Sequence, residues 1–369
     1  MNKMLTRTAL VSSLVLAGTS YSNAQTTVSG NLFMTYKAIK NDQTSKQQYR
    51  GFGKESQINL TNKGKLNNGM DYVAGFSLEF DGSDTMATNA GVGTQTHSTL
   101  AGAFNENTYI DFISGNTTFT FGADHIQNPD FAVSNLVGVA DIDDLLSGIG
   151  STKGSVTTPG TVTAMLFPTT KNSSYESYSI GIVQTLPVGK ASINYTPNAT
   201  TGAAANDTQS FNTRNNSPSI YDGVSKWEVG FVGDLGVKGL TGSAFYNRTT
   251  DAGQANTTGQ YIAVKYNTGD VTVGLGRADQ QANLANAGVD TKAYDLGIAY
   301  AISKDVSIGY SAARTEKDGV AAKEKMQQIS LGYSLGPIST GITVGSIKNL
   351  GGNVDQNGDA ILARANVNF

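Results

Sequence analysis

From residue 25 onward the sequence keeps returning to one rhythm. Segments of about ten residues carry an apolar side chain at every second position and are separated by Gly, Asn and Asp. A period of two means strands with one apolar and one polar face. In the first segment Val28, Gly30, Leu32, Met34, Tyr36 and Ala38 share a face, against Thr27, Ser29, Asn31, Thr35 and Lys37, and only Phe33 is out of phase. Glu55 to Lys63 alternates again, Asn67-Asn68-Gly69 closes a hairpin, and Tyr72, Ala74, Phe76, Leu78 and Phe80 return opposite Ser77, Glu79 and Asp81. Further on, Trp227, Val229, Phe231 and Leu235 oppose Lys226, Glu228 and Asp234, and Ile262, Val264 and Tyr266 oppose Lys265. The last segment sets Ile361, Ala363, Ala365, Val367 and Phe369 against Arg364, Asn366 and Asn368, with Leu362 the exception.

Two architectures use such strands: soluble sandwiches or β-helices, and closed membrane barrels. A sandwich core buries large aliphatics, whereas here the apolar face is rich in Ala, Gly and Tyr and its opposite in Ser, Thr, Asn and Asp. Connection lengths alternate as well. Short turns such as Asn267 to Asp270, Ser303 to Asp305 and Gly336-Pro337 alternate with polar loops such as Asp279 to Asp290, Glu316 to Glu324 and Lys348 to Asp359. That asymmetry predicts an all-β transmembrane antiparallel β-barrel of about sixteen strands, a size that keeps an aqueous channel. No stretch approaches the ~18 consecutive apolar residues of a membrane helix. Residues 1–24 read as a signal peptide: Lys3 and Arg7, an apolar run from Ala9 to Gly18, and small residues at Ser22 and Ala24, with cleavage after Ala24. Residues 25–369 then form one barrel domain. Without Lys3 and Arg7 the 26 basic residues become 24 against 29 acidic, a charge of −5 that argues against a nucleic-acid partner. With no cysteine, the exported chain is no disulfide scaffold.

The rhythm stops from His125 to Lys171, where Pro129, Pro159 and Pro168 fall. So long an insertion is usually functional, and it is expected to fold into the lumen as a constriction loop over 125–171. Its acids Asp130, Asp141, Asp143 and Asp144 are the predicted pore-lining charges, attractive to cations. The plainer alternative is a solvated turn, or a helix start whose acids favour the macrodipole. A calcium site would need more oxygen ligands than one short run supplies. By parity Lys37, Lys265 and Arg364 face the lumen, with Lys226 a further candidate. The two histidines, His97 and His125, stand in no nucleophile motif, and no metal-ligand spacing occurs, so no catalytic, cofactor or metal residue is assigned and an enzyme is not expected.

With its signal peptide, the first strand VSGNLFMTYKA, the strand TFGADH leading into a long third loop, and a last strand ending on Phe369, the chain resembles the general porins of Gram-negative bacteria. The resemblance spans the mature chain. It implies a trimeric, sixteen-stranded outer-membrane barrel whose third loop folds inward, a C-terminal strand read by the barrel-assembly machinery, and a setting of outer-membrane lipid and lipopolysaccharide. The chain departs from the best-known members in having few arginines, Arg50, Arg214, Arg248, Arg277, Arg314 and Arg364 after the signal, of which parity puts only Arg364 in the lumen. The expected function is passive diffusion of small hydrophilic solutes and ions, mildly selective for cations, without cofactor. The alternatives are a sugar-specific porin, which needs a line of lumen aromatics, and a non-conducting structural or adhesin barrel.

Overall fold

The computed structural model describes residues 24–42, 48–79, 104–123, 133–140, 142–146, 178–196, 225–250, 256–282, 290–354 and 356–369. The strands are β1 (Gln25–Asn41), β2 (Gln48–Lys65), β3 (Asp71–Glu79), β4 (Phe104–Ser114), β5 (Thr117–Ala123), β6 (Tyr178–Leu186), β7 (Gly189–Thr196) and β8 (Ser225–Asp234). They continue with β9 (Leu240–Thr250), β10 (Thr257–Thr268), β11 (Val271–Ala282), β12 (Thr291–Ala301), β13 (Val306–Lys317), β14 (Glu324–Leu335), β15 (Ile338–Lys348) and β16 (Gly358–Asn368). Each strand pairs antiparallel with its sequence neighbours, and β1 pairs with β16, so the sixteen strands form a closed barrel. The seam runs through Leu32 opposite Val367 and Thr35 opposite Arg364. It ends where the Gly30 and Phe369 amides each donate to the other's carbonyl, at 2.8 and 3.0 Å. Closure leaves no open edge, as a bilayer core demands.

Short turns gather at one end. Ser114 pairs with Thr117 and Leu335 with Ile338, so Gly115-Asn116 and Gly336-Pro337 are two-residue turns. Their first residues have φ of 57° and 61°, the primed-turn geometry that matches strand twist and that glycine adopts without a Cβ clash. The long connections lie at the other end.

Parity sorts the side chains as the sequence predicts. Ile262 (62% exposed), Leu275, Ile329 and Ile342 stand on the outer face, and Tyr72, Tyr266, Tyr300 and Tyr333 border it near the short turns. Toward the long loops the Tyr195 and Trp227 rings meet at 4.5 Å. This is an apolar band between aromatic girdles. Among the described residues no helix could cross a membrane, so the strands are the membrane-spanning elements.

The strands outrun the sequence boundaries at the long-loop end. β2 starts at Gln48 rather than Glu55, and β11 runs to Ala282, so that Asp279 pairs with Lys292 instead of opening a loop. Here both faces are wetted, and pairing continues without the apolar alternation that marks it lower down. In the other direction, Leu235 belongs to a turn and not to the outer face of β8. The predicted structureless insertion also contains a short helix, α1 (Ile142–Leu146).

Candidate functional site

Residues 133–140 and α1 lie against the inner face of the barrel from β10 to β16. Two apolar contacts hold them. Val133, fully buried, packs with Phe245, Tyr261, Ala263, Ala278 and Ala293. At the other end Ala140, Ile142, Leu145 and Leu146 pack with Ala313, Met326, Ile347, Ala360 and Leu362, with Ile39 alongside. Burying each of these Ile and Leu side chains is worth about 1.5–3 kcal/mol. Every wall residue named here stands at an inward position, where a water-filled barrel would otherwise be polar. The out-of-phase Leu362 is thus part of the helix seat.

Between the two contacts the wall is carved to fit. Pairing places Gly274, Gly297, Ser311, Gln328, Gly345 and Ala360 in a single row across β11 to β16. A Cβ on Gly297 would collide with the Val133 carbonyl oxygen and come within 2.9 Å of Leu136 Cδ1, and one on Gly345 would lie 2.6 Å from Leu145 Cδ2. Two steps toward the short turns, a Cβ on Gly341 would strike both methyls of Val139. Small residues let the segment lie directly on the strands.

Two side chains of the same row tie it down. Ser311 Oγ donates to the Ser134 carbonyl at 2.8 Å, and Gln328 Nε2 donates to the Ser134 and Ala140 carbonyls at 2.8 and 3.1 Å. Gln328 is 2% exposed. In Gln328→Leu the Ala140 carbonyl loses this donor inside a dry contact, a loss of about 1–3 kcal/mol. The expected result is greater open-channel current noise with the thermal stability of the barrel unchanged; equal noise in the two proteins would show that Gln328 does not hold the segment.

The predicted site residues are only partly brought together. Lys37 and Arg364 lie on the inner face of the seam as diagonal neighbours, since Lys37 is opposite Leu362 and Arg364 opposite Thr35. The Arg364 guanidinium sits 4.3 Å from the centroid of the Phe33 ring, so the out-of-phase Phe33 is its inward platform. α1 packs on Leu362 and Ile39, which brings the backbone of Asp143 and Asp144 to the same stretch of wall. Asp143 and Asp144 both fall within α1. Lys265 also faces inward, but β10 lies on the opposite side of the barrel and Lys265 is close to the short turns, so it does not join this group. Asp130, Asp141, His97 and His125 lie outside the described residues, as does the predicted signal peptide up to residue 23. Ser311, Gln328 and the glycine row carry no signal in one strand's sequence. Their role follows from register across five hairpins.

The Gram-negative porin family matches the chain over residues 8–352. The chain belongs to that family. Solved structures share the fold of this porin at low identity. The anion-selective porin from Comamonas acidovorans is 13% identical, covering 94% of this chain and 100% of that one, with a TM-score of 0.60. OmpT of Vibrio cholerae is 14% identical, covering 96% and 100%, with a TM-score of 0.57. A trimer form of OmpT from Vibrio cholerae is 15% identical, covering 94% and 99%, with a TM-score of 0.54. No curated protein matches in sequence. Family and fold together make this porin an outer-membrane channel protein.

Proposed function

We propose that this porin is a passive channel for small hydrophilic solutes and ions, constricted by the 125–171 loop and mildly selective for cations. The observation that carries the reading is the seating of residues 133–140 and 142–146 on the inner wall beside Lys37 and Arg364. A segment held there narrows the lumen, and it carries Asp143 and Asp144, with Asp141 next to them in the sequence. Acids at a constriction act in a low-dielectric throat where their field is focused. The structural neighbour from Comamonas acidovorans is anion-selective, and the opposite sign proposed here rests on this chain's own charges. Here a mature charge of −5 and the acids on the loop favour cations. Residues 1–24 serve as the export signal, Phe369 and its strand as the element read by the assembly machinery, lipopolysaccharide as a neighbour, and the unit is a homotrimer.

The test is single-channel conductance and reversal potential in a planar bilayer under a salt gradient. Ohmic openings in groups of three, with a reversal potential of cation sign, are expected. In Asp141→Asn, Asp143→Asn, Asp144→Asn combined, the cation-to-anion permeability ratio should fall toward one, and an unchanged ratio would remove the loop acids from the mechanism. A sugar-specific reading would need exposed aromatics along the lumen. Among the described residues the inward Phe245 and Tyr261 are buried under the loop segment, and the half-buried Phe33 and Tyr109 lie on different strands, Phe33 under the Arg364 guanidinium, and form no line.

A further inference from the structure

The outer face of β11 to β15 carries its charges in rows. Register sets Arg277, Tyr294, Arg314, Lys325 and Lys348 side by side, each directly opposite the next, and all five are exposed. One step farther from the membrane stand Asp279, Lys292 and Glu316, with Lys323 against Glu316 at 3.1 Å. One step nearer, the row is uncharged, from Leu275 and Leu296 to Gln327 and Ser346, and the apolar band follows. The cationic row therefore lies on the border of the band at the long-loop end.

Like charges directly opposite one another on a sheet are destabilising. Two members of the row have local acids. Arg277 makes a bidentate pair with Asp279 at 2.9 and 3.1 Å, and Arg314 pairs with Glu316. Lys325 and Lys348 face each other with no ion pair among the described residues. A sheet that sets two lysines, without an acid partner among the described residues, beside an arginine at the depth where lipid head groups lie is complementary to an anion supplied by the membrane itself.

We propose that Arg314, Lys325 and Lys348 form a docking surface for the phosphate groups of an outer-leaflet phosphoglycolipid of the lipid A type. The three cations span two strand spacings, about 10 Å. That is wider than one phosphate and suits a head group carrying more than one. The adjoining apolar band receives the acyl chains, which a soluble phosphate lacks. This names a site for the lipopolysaccharide contact included in the proposed function, and it makes no use of the lumen.

The test uses the purified mature protein in detergent, with native mass spectrometry to compare bisphosphorylated lipid A and its dephosphorylated form with the same acyl chains. At about fivefold in affinity per cation near a lipid surface, the wild type should prefer the phosphorylated form by roughly a hundredfold. R314Q/K325Q/K348Q should bind the two forms equally. K304Q, at the opposite end of the barrel where Lys304 is 89% exposed, should keep the preference. The proposal is overturned if the wild type shows no preference, if the triple variant retains it, or if K304Q loses it equally. Competition by inorganic phosphate at the affinity of lipid A would reassign the row to a soluble anion and overturn it too. Should the triple variant fail to fold, as judged by heat-modifiable gel mobility, K325Q alone should lower the preference about fivefold. Conductance measured on the same samples separates loss of docking from failure of the channel reading.

Discussion

Gly297→Val combined with Gly341→Val should release the inner segment from the wall and give a channel of larger conductance and weaker ion preference. The argument rests on space. At Gly297 the first atom in the way is the Val133 carbonyl oxygen, a backbone atom that moves only if the segment moves. At Gly341 the obstacles are the Val139 methyls on one side and the Leu331 carbonyl at 2.8 Å on the other, so a new side chain has no escape along the sheet. Overpacking a fitted contact costs about 1–3 kcal/mol per site. Two sites shift the docking equilibrium by roughly 30-fold to 10⁴-fold, against a segment held by two small apolar contacts and three hydrogen bonds to wall side chains. Valine is at home in a β-strand, and the one wall atom in the way, the Leu331 carbonyl beside Gly341, asks for a local shift of β14 and not for loss of its pairing.

Planar-bilayer recordings check the outcome, and a wild-type conductance in a correctly folded double variant would show that the segment does not limit flow. A milder pair isolates the contact. Gly341→Ala should raise conductance in part, and adding Val139→Ala should return it toward wild type by making room for the new methyl. Failure of that rescue would mean that the first substitution acts through the barrel and not through the loop.

The same positions explain how much of this protein could be read from its sequence. Strand number, closure and the outer face were legible because lipid imposes one requirement on every second residue along all sixteen strands. The exceptions were legible as exceptions. Phe33 and Leu362 broke the pattern since each serves something inside the barrel, the Arg364 guanidinium and the α1 seat respectively. The seat as a whole was hidden for a physical reason. Gly274, Gly297, Ser311, Gln328 and Gly345 become a row only when five strands are placed in register, and an error of one residue in any hairpin sends its side chains to the other face. Strand ends above the membrane were missed because polar residues on both faces leave no period to detect.

Lys226→Met should be among the most destabilising single substitutions in the barrel. Lys226 and Glu228 are two residues apart on the inner face of β8, with Nζ 2.6 Å from Oε1 and side chains 3% and 1% exposed. Their cross-strand neighbours are themselves buried and polar: Thr196 opposite Lys226, and Asn194 and Asn247 on either side of Glu228. The pair was visible in the sequence as two inward charges, but alternation gives no measure of depth, and both were expected to meet water. Removing the ammonium takes away the only cation paired with this carboxylate among the described residues, at a site 1% exposed, which costs about 3–5 kcal/mol. Replacing both charges removes the stranded ion, so K226M/E228Q should recover most of the loss. The shift in denaturant midpoint, followed by heat-modifiable gel mobility, measures both proteins. If K226M and the double variant unfold together, the pair is solvated in the membrane-inserted protein and the buried ion-pair account fails.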